Sequence, residues 1–117
     1  ILIPASVTDV IHEGNMNDIT ASIIVEGANI PMRENIEEKL HDKGILIVPD
    51  VIANAGGVIS SYAEYKGYNP EDMFATVKEK IVEANRLVLG ESLEKKEYPR
   101  KLAMDIARRI VEEEMGK

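Results

Sequence analysis

The chain has no cysteine, and that absence removes disulfides, thiolate nucleophiles and cysteine-ligated zinc. Its only two histidines, His12 and His41, fall on different segments, so no histidine-built metal site is expected. Basic charge is also in deficit: 14 Lys and Arg stand against 21 Asp and Glu, a formal net charge of −7. Binding a nucleic-acid backbone needs clustered Lys and Arg, so the acidic balance argues against it as the main partner. No apolar run approaches the roughly 18 residues of a membrane span. What remains is a chain of 117 residues, 44% hydrophobic and 30% charged, the size and balance of one small globular domain. It opens on Ile1-Leu2-Ile3-Pro4, with no charged leader or small-residue cleavage site. The first residue falls inside what reads as a buried strand, which is expected of a piece of something longer.

Three apolar runs stand out: Ile1 to Ile3, Ala21 to Val25, and Ile45 to Val48. They are β-branched and continuous rather than alternating, as in strands covered on both faces of a parallel sheet. Between them the pattern predicts helices. Ser6 would cap a short one carrying Val7, Val10 and Ile11, with Gly14 as its stop. A second would open near Asn35, turn Ile36 and Leu40 inward, and end at Gly44. This spacing predicts two successive βαβ units. Further on, Asn69-Pro70-Glu71-Asp72 is a strong helix start, and Phe74, Val77, Ile81, Ala84 and Val88 follow as one apolar stripe. Gly90 to Tyr98 reads as a charged, solvated break. Pro99 starts the last helix, with Leu102, Ala103, Ile106, Ala107, Ile110 and Val111 on its apolar face.

The unusual residues fall at the strand ends: Pro4-Ala5-Ser6, then Glu26-Gly27-Ala28-Asn29-Ile30-Pro31, then Pro49-Asp50 and Asn54-Ala55-Gly56-Gly57. Ligands of open parallel α/β sheets bind outside the carboxyl ends of the strands. Small residues there let a flat ligand lie against backbone, and Asn amides offer both a donor and an acceptor. The same residue types are also the commonest turn formers, so plain turn chemistry explains them equally well.

The blocks Ile1-Leu2-Ile3-Pro4-Ala5, Val25-Glu26-Gly27-Ala28-Asn29 with Pro31, and Val48-Pro49-Asp50-Val51-Ile52-Ala53-Asn54-Ala55-Gly56-Gly57-Val58 resemble consecutive blocks of the glutamate dehydrogenase family. That family includes the leucine, phenylalanine and valine dehydrogenases. Order and spacing agree over essentially the whole chain, and the Pro-Asp-x-x-Ala-Asn-Ala-Gly-Gly-Val block is the most specific part. The resemblance implies an α/β, partial Rossmann-like fold. It would have three mainly parallel strands with flanking helices and two long C-terminal helices. Residues 1–65 would be the second half of a dinucleotide-binding domain, and residues 66–117 its C-terminal helical segment.

Function follows from the resemblance in the same way. The parent would be a cytoplasmic, homo-oligomeric (by family hexameric) enzyme that takes a small amino acid substrate, with neither nucleic acid nor membrane as partner. It would use NAD or NADP to deaminate L-glutamate oxidatively and reversibly to 2-oxoglutarate and ammonia. The sequence has no Gly-x-Gly-x-x-Gly turn to seat a pyrophosphate. The family's catalytic lysine and aspartate belong to a substrate domain not represented here. No catalytic residue is therefore expected in this segment, which alone should show no dehydrogenase activity. A free-standing, non-catalytic nucleotide-binding or protein-interaction module is the alternative.

The resemblance assigns Pro4, Ala5, Gly27, Ala28, Asn29, Asn54, Gly56 and Gly57 to the cofactor. Asn29 would bond the nicotinamide-side ribose, and Asn54 the nicotinamide carboxamide, an amide facing an amide. Asn54 also suits a helix N-cap, and both roles can coexist. Gly56 and Gly57 would admit the cofactor closely or serve tight helix–sheet packing. Ser61 resembles the residue that binds the substrate's side-chain carboxylate, with Ser60 beside it as the alternative. Ile30 departs from the family, which usually has a small or polar residue there. Met32-Arg33 replaces the family's Thr-rich stretch, and Ser6 stands where Ala is common. Tyr62, Tyr65 and Tyr68 read as helix-surface packing, and Glu112 to Glu114 as a solvated helix end. His12 and His41 read as residues at helix ends, and Glu26 is ambiguous.

Overall fold

The structure is a computed structural model describing residues 1–117. Its sheet is smaller than the three apolar runs predict. Only β1 (Ile23–Val25) and β2 (Leu46–Val48) form a ladder, parallel, with Ile23 opposite Leu46 and Val25 opposite Val48. The Ile1–Ile3 run contributes a single parallel bridge, Leu2 to Ile24, through Leu2 N–H to Ile23 O and Val25 N–H to Leu2 O. The run thus lies alongside β1 in the expected order, but Pro4 has no N–H with which to extend the ladder. Ile1 and Ile3 stay 83% and 61% exposed along this open edge.

The helix expected over Val7 to Ile11 is absent. Asp9 N–H donates to Ile30 O and Ile11 N–H to Pro31 O, so these donors serve the 30–31 segment instead of an i−4 carbonyl. Asp9 also sits in the left-handed region at φ 58°, which no α-helix tolerates. A 3₁₀ turn, Met16–Asp18, is the only helical piece before β1. His12 therefore lies in a loop, not at the helix end expected of it, and its ring accepts from Gly14 N–H.

The rest of the chain is helical. α1 (Glu34–Asp42) ends as expected at Gly44, which takes φ 86°. α2 (Asp50–Ala53) and α3 (Gly56–Tyr65) follow β2 closely. α4 (Pro70–Lys95) is capped by Asn69, whose Oδ1 accepts the Asp72 N–H at 2.9 Å. It runs through Gly90, so the break expected over Gly90 to Tyr98 shrinks to Lys96–Tyr98. There Lys96 turns left-handed at φ 55°, and the buried Ser92 hydroxyl donates to Glu97 O. α5 (Pro99–Met115) completes the chain.

Two apolar clusters hold these layers together. Ile11, Met16, Ile24, Met32, Ile36, Leu40 and Ile47 pack on the α1 side of the sheet. Val48, Ile52, Val88, Leu102, Ala103 and Ile106 pack on the other side, under α4 and α5. Each fully buried Leu or Ile contributes about 1.5–3 kcal/mol. The expected helix stripes are only partly buried: Phe74 is 67% exposed, and Ile110 and Val111 are 54% and 55% exposed. Every residue of α5 beyond Ile106 is exposed, so its distal apolar side chains are left uncovered. Tyr62, Tyr65 and Tyr68 are exposed.

Candidate functional site

The ends of the parallel strands converge, and the short polar segments following them meet there. Pro4 is buried, and its carbonyl accepts both Gly27 N–H (3.1 Å) and Ala28 N–H (2.9 Å). This double bond lays Pro4-Ala5 against Gly27-Ala28 so closely that a Cβ on Gly27 would stand 3.0 Å from the Ala5 Cβ. Gly27, Ala28 and Asn29 line one open depression with Ser6, Val7 and Thr8. The Thr8 hydroxyl donates to Asn29 O at 3.0 Å, a contact the sequence did not single out.

Asn29 and Asn54, 25 residues apart in the chain, are brought together. Asn54 Nδ2 donates to Asn29 Oδ1 at 2.7 Å. The bond uses one of two amide protons on Asn54 and one acceptor on Asn29. Asn54 keeps an N–H and its Oδ1, and Asn29 keeps both N–H donors. Asn54 does not cap α3 with its side chain. It is the C-cap of α2, its N–H bonded to Asp50 O at 3.0 Å, and α3 has no side-chain cap.

The two glycines have different surroundings. A Cβ on Gly56 would meet Val77 Cγ1 at 3.3 Å, so Gly56 serves the close approach of α3 to α4. A Cβ on Gly57 would meet nothing within 4 Å. Gly57 is the residue with open space in front of it. The Ser61 and Ser60 hydroxyls both donate to Gly57 O, at 3.0 and 2.9 Å. Ser61 is exposed and Ser60 half-buried, so Ser61 is the more accessible of the pair.

Beneath the strand ends lies a buried charge cluster. Arg100 of α5 donates from Nε to both Glu37 oxygens (2.7 and 2.8 Å) and from Nη2 to Glu26 Oε2 (2.7 Å). Nη2 also stands 2.8 Å from Asp50 Oδ1 in an ion contact. Glu26 is fully buried, and its Oε2 additionally accepts the Asp50 N–H at 2.8 Å. Burial pushes the Glu26 carboxyl up to about 8, with Glu37 repulsion adding to it, so Glu26 is protonated near neutrality. A neutral Glu26 lowers the cost of placing three carboxyls around one guanidinium. Burial opposes the Arg100 charge, but the surrounding acids, Glu37 foremost, hold it above its ordinary value.

The cluster reaches the surface through Asp50, whose Oδ2 accepts the Ile30 N–H at 2.8 Å. Ile30 sits at φ 48°, a left-handed conformation that costs a β-branched residue of order 1–3 kcal/mol. The departure from the family pattern thus falls on a residue whose backbone is held by side-chain and loop bonds. Sequence reasoning named Asp50 at a strand end without giving it a role, missed Arg100 and left Glu26 open. The available signal was a carboxylate just past each of two continuous apolar strands, Glu26 directly after β1 and Asp50 beyond Pro49 after β2.

No helix is long and apolar enough to cross a membrane, and no cluster of potential metal ligands occurs. Comparison with known proteins gives consistent relatives. The chain is 46% identical over 65 residues to an NADP(+)-dependent glutamate dehydrogenase of Pyrobaculum calidifontis, covering 56% of this chain and 15% of that protein. It is 44% identical over 87 residues to an NAD-specific glutamate dehydrogenase of Staphylococcus aureus, covering 69% and 21%. Among solved structures, L-tryptophan dehydrogenase from Nostoc punctiforme superposes with a TM-score of 0.86 at 26% identity, over 98% of this chain and 35% of that one. The chain thus spans between about a seventh and a third of these relatives. The family model for Glutamate/Leucine/Phenylalanine/Valine dehydrogenase matches residues 1–117, the whole chain, and the chain belongs to that family.

Proposed function

We propose that this segment forms the nicotinamide-side wall of the cofactor groove in an NAD- or NADP-dependent amino acid dehydrogenase acting on L-glutamate. The observation that carries the reading is the Asn29–Asn54 pair at the convergent strand ends. The free N–H and Oδ1 of Asn54 match the acceptor and donor of a primary carboxamide. The free N–H groups of Asn29 suit a ribose hydroxyl. A Cβ on Gly57 would meet nothing within 4 Å, which is compatible with a flat ring lying against it. These residues fit a nicotinamide half-site. The bound cofactor would supply hydride acceptance in the oxidation of the amino acid. The chain's own part is to fix the ring's orientation and so decide which face meets the substrate. Residues 1–65 would serve as the groove-forming half and residues 66–117 as its helical support.

The glutamate assignment draws on the relatives' names and on Ser61. To bind a substrate carboxylate, the Ser61 hydroxyl must turn from Gly57 O. That exchanges a neutral hydrogen bond for a charge-assisted one of about 1.5–3 kcal/mol. In the dehydrogenase carrying this segment, Ser61→Val is expected to raise the glutamate KM roughly tenfold to a hundredfold and to improve tolerance of leucine. Asn54→Ala should impair hydride transfer with every amino acid. An unchanged preference for glutamate over leucine in Ser61→Val removes Ser61 as the selector. Unimpaired turnover in Asn54→Ala refutes the groove assignment.

A further inference from the structure

We propose that Arg100 is a positioning residue: from α5, through Asp50 and Glu26, it sets the geometry of the Asn29–Asn54 pair. The argument begins with placement. Arg100 is the second residue of α5, far from the strand ends in sequence, and no hydrogen bond joins it to Asn29 or Asn54. Its fork nonetheless reaches three carboxyls on three elements: Glu37 on α1, Glu26 after β1 and Asp50 at the start of α2.

Two of these carboxyls fix the segments that carry the asparagines. Asp50 is bifunctional: one oxygen contacts Arg100 at 2.8 Å, and the other holds the Ile30 N–H at 2.8 Å. Ile30 directly follows Asn29 and sits in a strained left-handed conformation at φ 48°. A strained backbone reverts when its restraints go, so rotating the Asp50 carboxylate releases Asn29. The Asp50 backbone N–H is held by Glu26 Oε2, and the Asp50 carbonyl accepts from Asn54 N–H. Asn54 is therefore fixed by the same residue from the other side. Glu26 in turn receives Arg100 Nη2. One guanidinium contacts one oxygen of Asp50 and one of Glu26, and those two carboxyls hold the segments that carry the two residues at the groove lip.

A residue that merely cements α5 to the sheet would contribute stability and leave the lip alone. Glu37 supplies the contrast, because it shares Arg100 but makes no hydrogen bond to Asp50, Ile30 or either asparagine. The consequence for catalysis rests on the proposed cofactor reading, whereas the positioning itself is measurable without activity.

The test is amide NMR on the full chain, following the Asn54 side-chain NH₂ signals and the Ile30 backbone N–H. Asn29→Ala, which removes the acceptor, defines the unpaired position of the Asn54 signals. Arg100→Lys keeps the charge but loses the planar fork. It is expected to move the Asn54 signals to that unpaired position and to abolish exchange protection at Ile30. Glu37→Gln should lower the melting temperature and leave both signals in place. Arg100→Lys with Asn54 and Ile30 signals unmoved overturns the proposal. Should Arg100→Lys not fold, native-state hydrogen exchange of the unsubstituted chain decides. Ile30 and the α5 amides of Leu102 and Ala103 should open together, with one denaturant dependence. Independent opening of Ile30 overturns the proposal. Neither result depends on the chain being a dehydrogenase segment.

Discussion

Replacing Gly57 with alanine should strengthen the fold while weakening the proposed activity, because the two demands on this position have opposite signs. Gly57 is the second residue of α3, and a Cβ there would meet nothing within 4 Å. Glycine in a helix costs roughly 0.5–1 kcal/mol relative to alanine, chiefly in chain entropy. Unfolding entropy is about 2.1 cal/mol/K per residue. For 117 residues, the gain therefore corresponds to a rise in Tm of about 2–4 °C. Thermal denaturation followed by circular dichroism reads it directly.

In the dehydrogenase, the same methyl would enter the space assigned to the cofactor. Overpacking a close contact costs about 1–3 kcal/mol, hence a cofactor KM raised roughly 5-fold to 150-fold. Gly56→Ala is the comparison. Its methyl would press on Val77 Cγ1 at 3.3 Å, so it should not gain stability. A fall in Tm for Gly57→Ala would falsify the open geometry at the start of α3. A raised Tm with an unchanged cofactor KM would leave the geometry standing and remove Gly57 from the groove.

Other positions make simpler demands. Gly27→Ala should destabilise the chain by about 1–3 kcal/mol, since the new Cβ would stand 3.0 Å from the Ala5 Cβ; a urea midpoint checks it. Asn69→Ala removes the cap on Asp72 N–H and should cost about 0.5–2 kcal/mol, with a matching loss of protection at the first turn of α4. Glu26 yields a pH prediction. Its carboxyl, pushed up to about 8 in the folded chain, keeps its proton where an unfolded glutamate of about 4.3 has lost it. The folded state binds more protons across that window, so stability should fall as pH rises from about 4.5 toward 8 and flatten above. Urea midpoints across the window measure the slope, and Glu26→Gln should remove it. A slope that persists in Glu26→Gln assigns the titration to another group.

The sequence disclosed those parts of the molecule that local chemistry decides. Continuous β-branched runs marked β1 and β2, Gly44 marked the end of α1, and Asn69-Pro70 marked the start of α4. The convergence of Pro4, Gly27, Asn29 and Asn54 was legible because parallel strands of similar direction must end on one side. What failed depended on partners distant in sequence. Nothing in Val7 to Ile11 announces that its N–H groups are taken by Ile30 and Pro31. A helical stripe also predicts one apolar face but not how far a neighbour reaches along it, so Ile110 and Val111 are left exposed. Glu37 and Arg100 carry no signal singly, and Glu26 and Asp50 stand out only as strand-end residues without a role. Only their meeting gives them a role.

That meeting also orders events during synthesis. Glu26 and Arg100 are separated by 74 positions, with Arg100 the later of the two. A ribosome adding about 5–20 residues per second has made both strands and α1 seconds before α5 exists. In that interval Glu26, Glu37 and Asp50 lack the guanidinium that the folded chain places among them. On the proposed role of Arg100, the amide pair is expected to form only after α5 docks, although its two asparagines precede Arg100 by 71 and 46 positions. A chain cut short before residue 100 would carry both asparagines and lack the side chain that joins Glu26, Glu37 and Asp50.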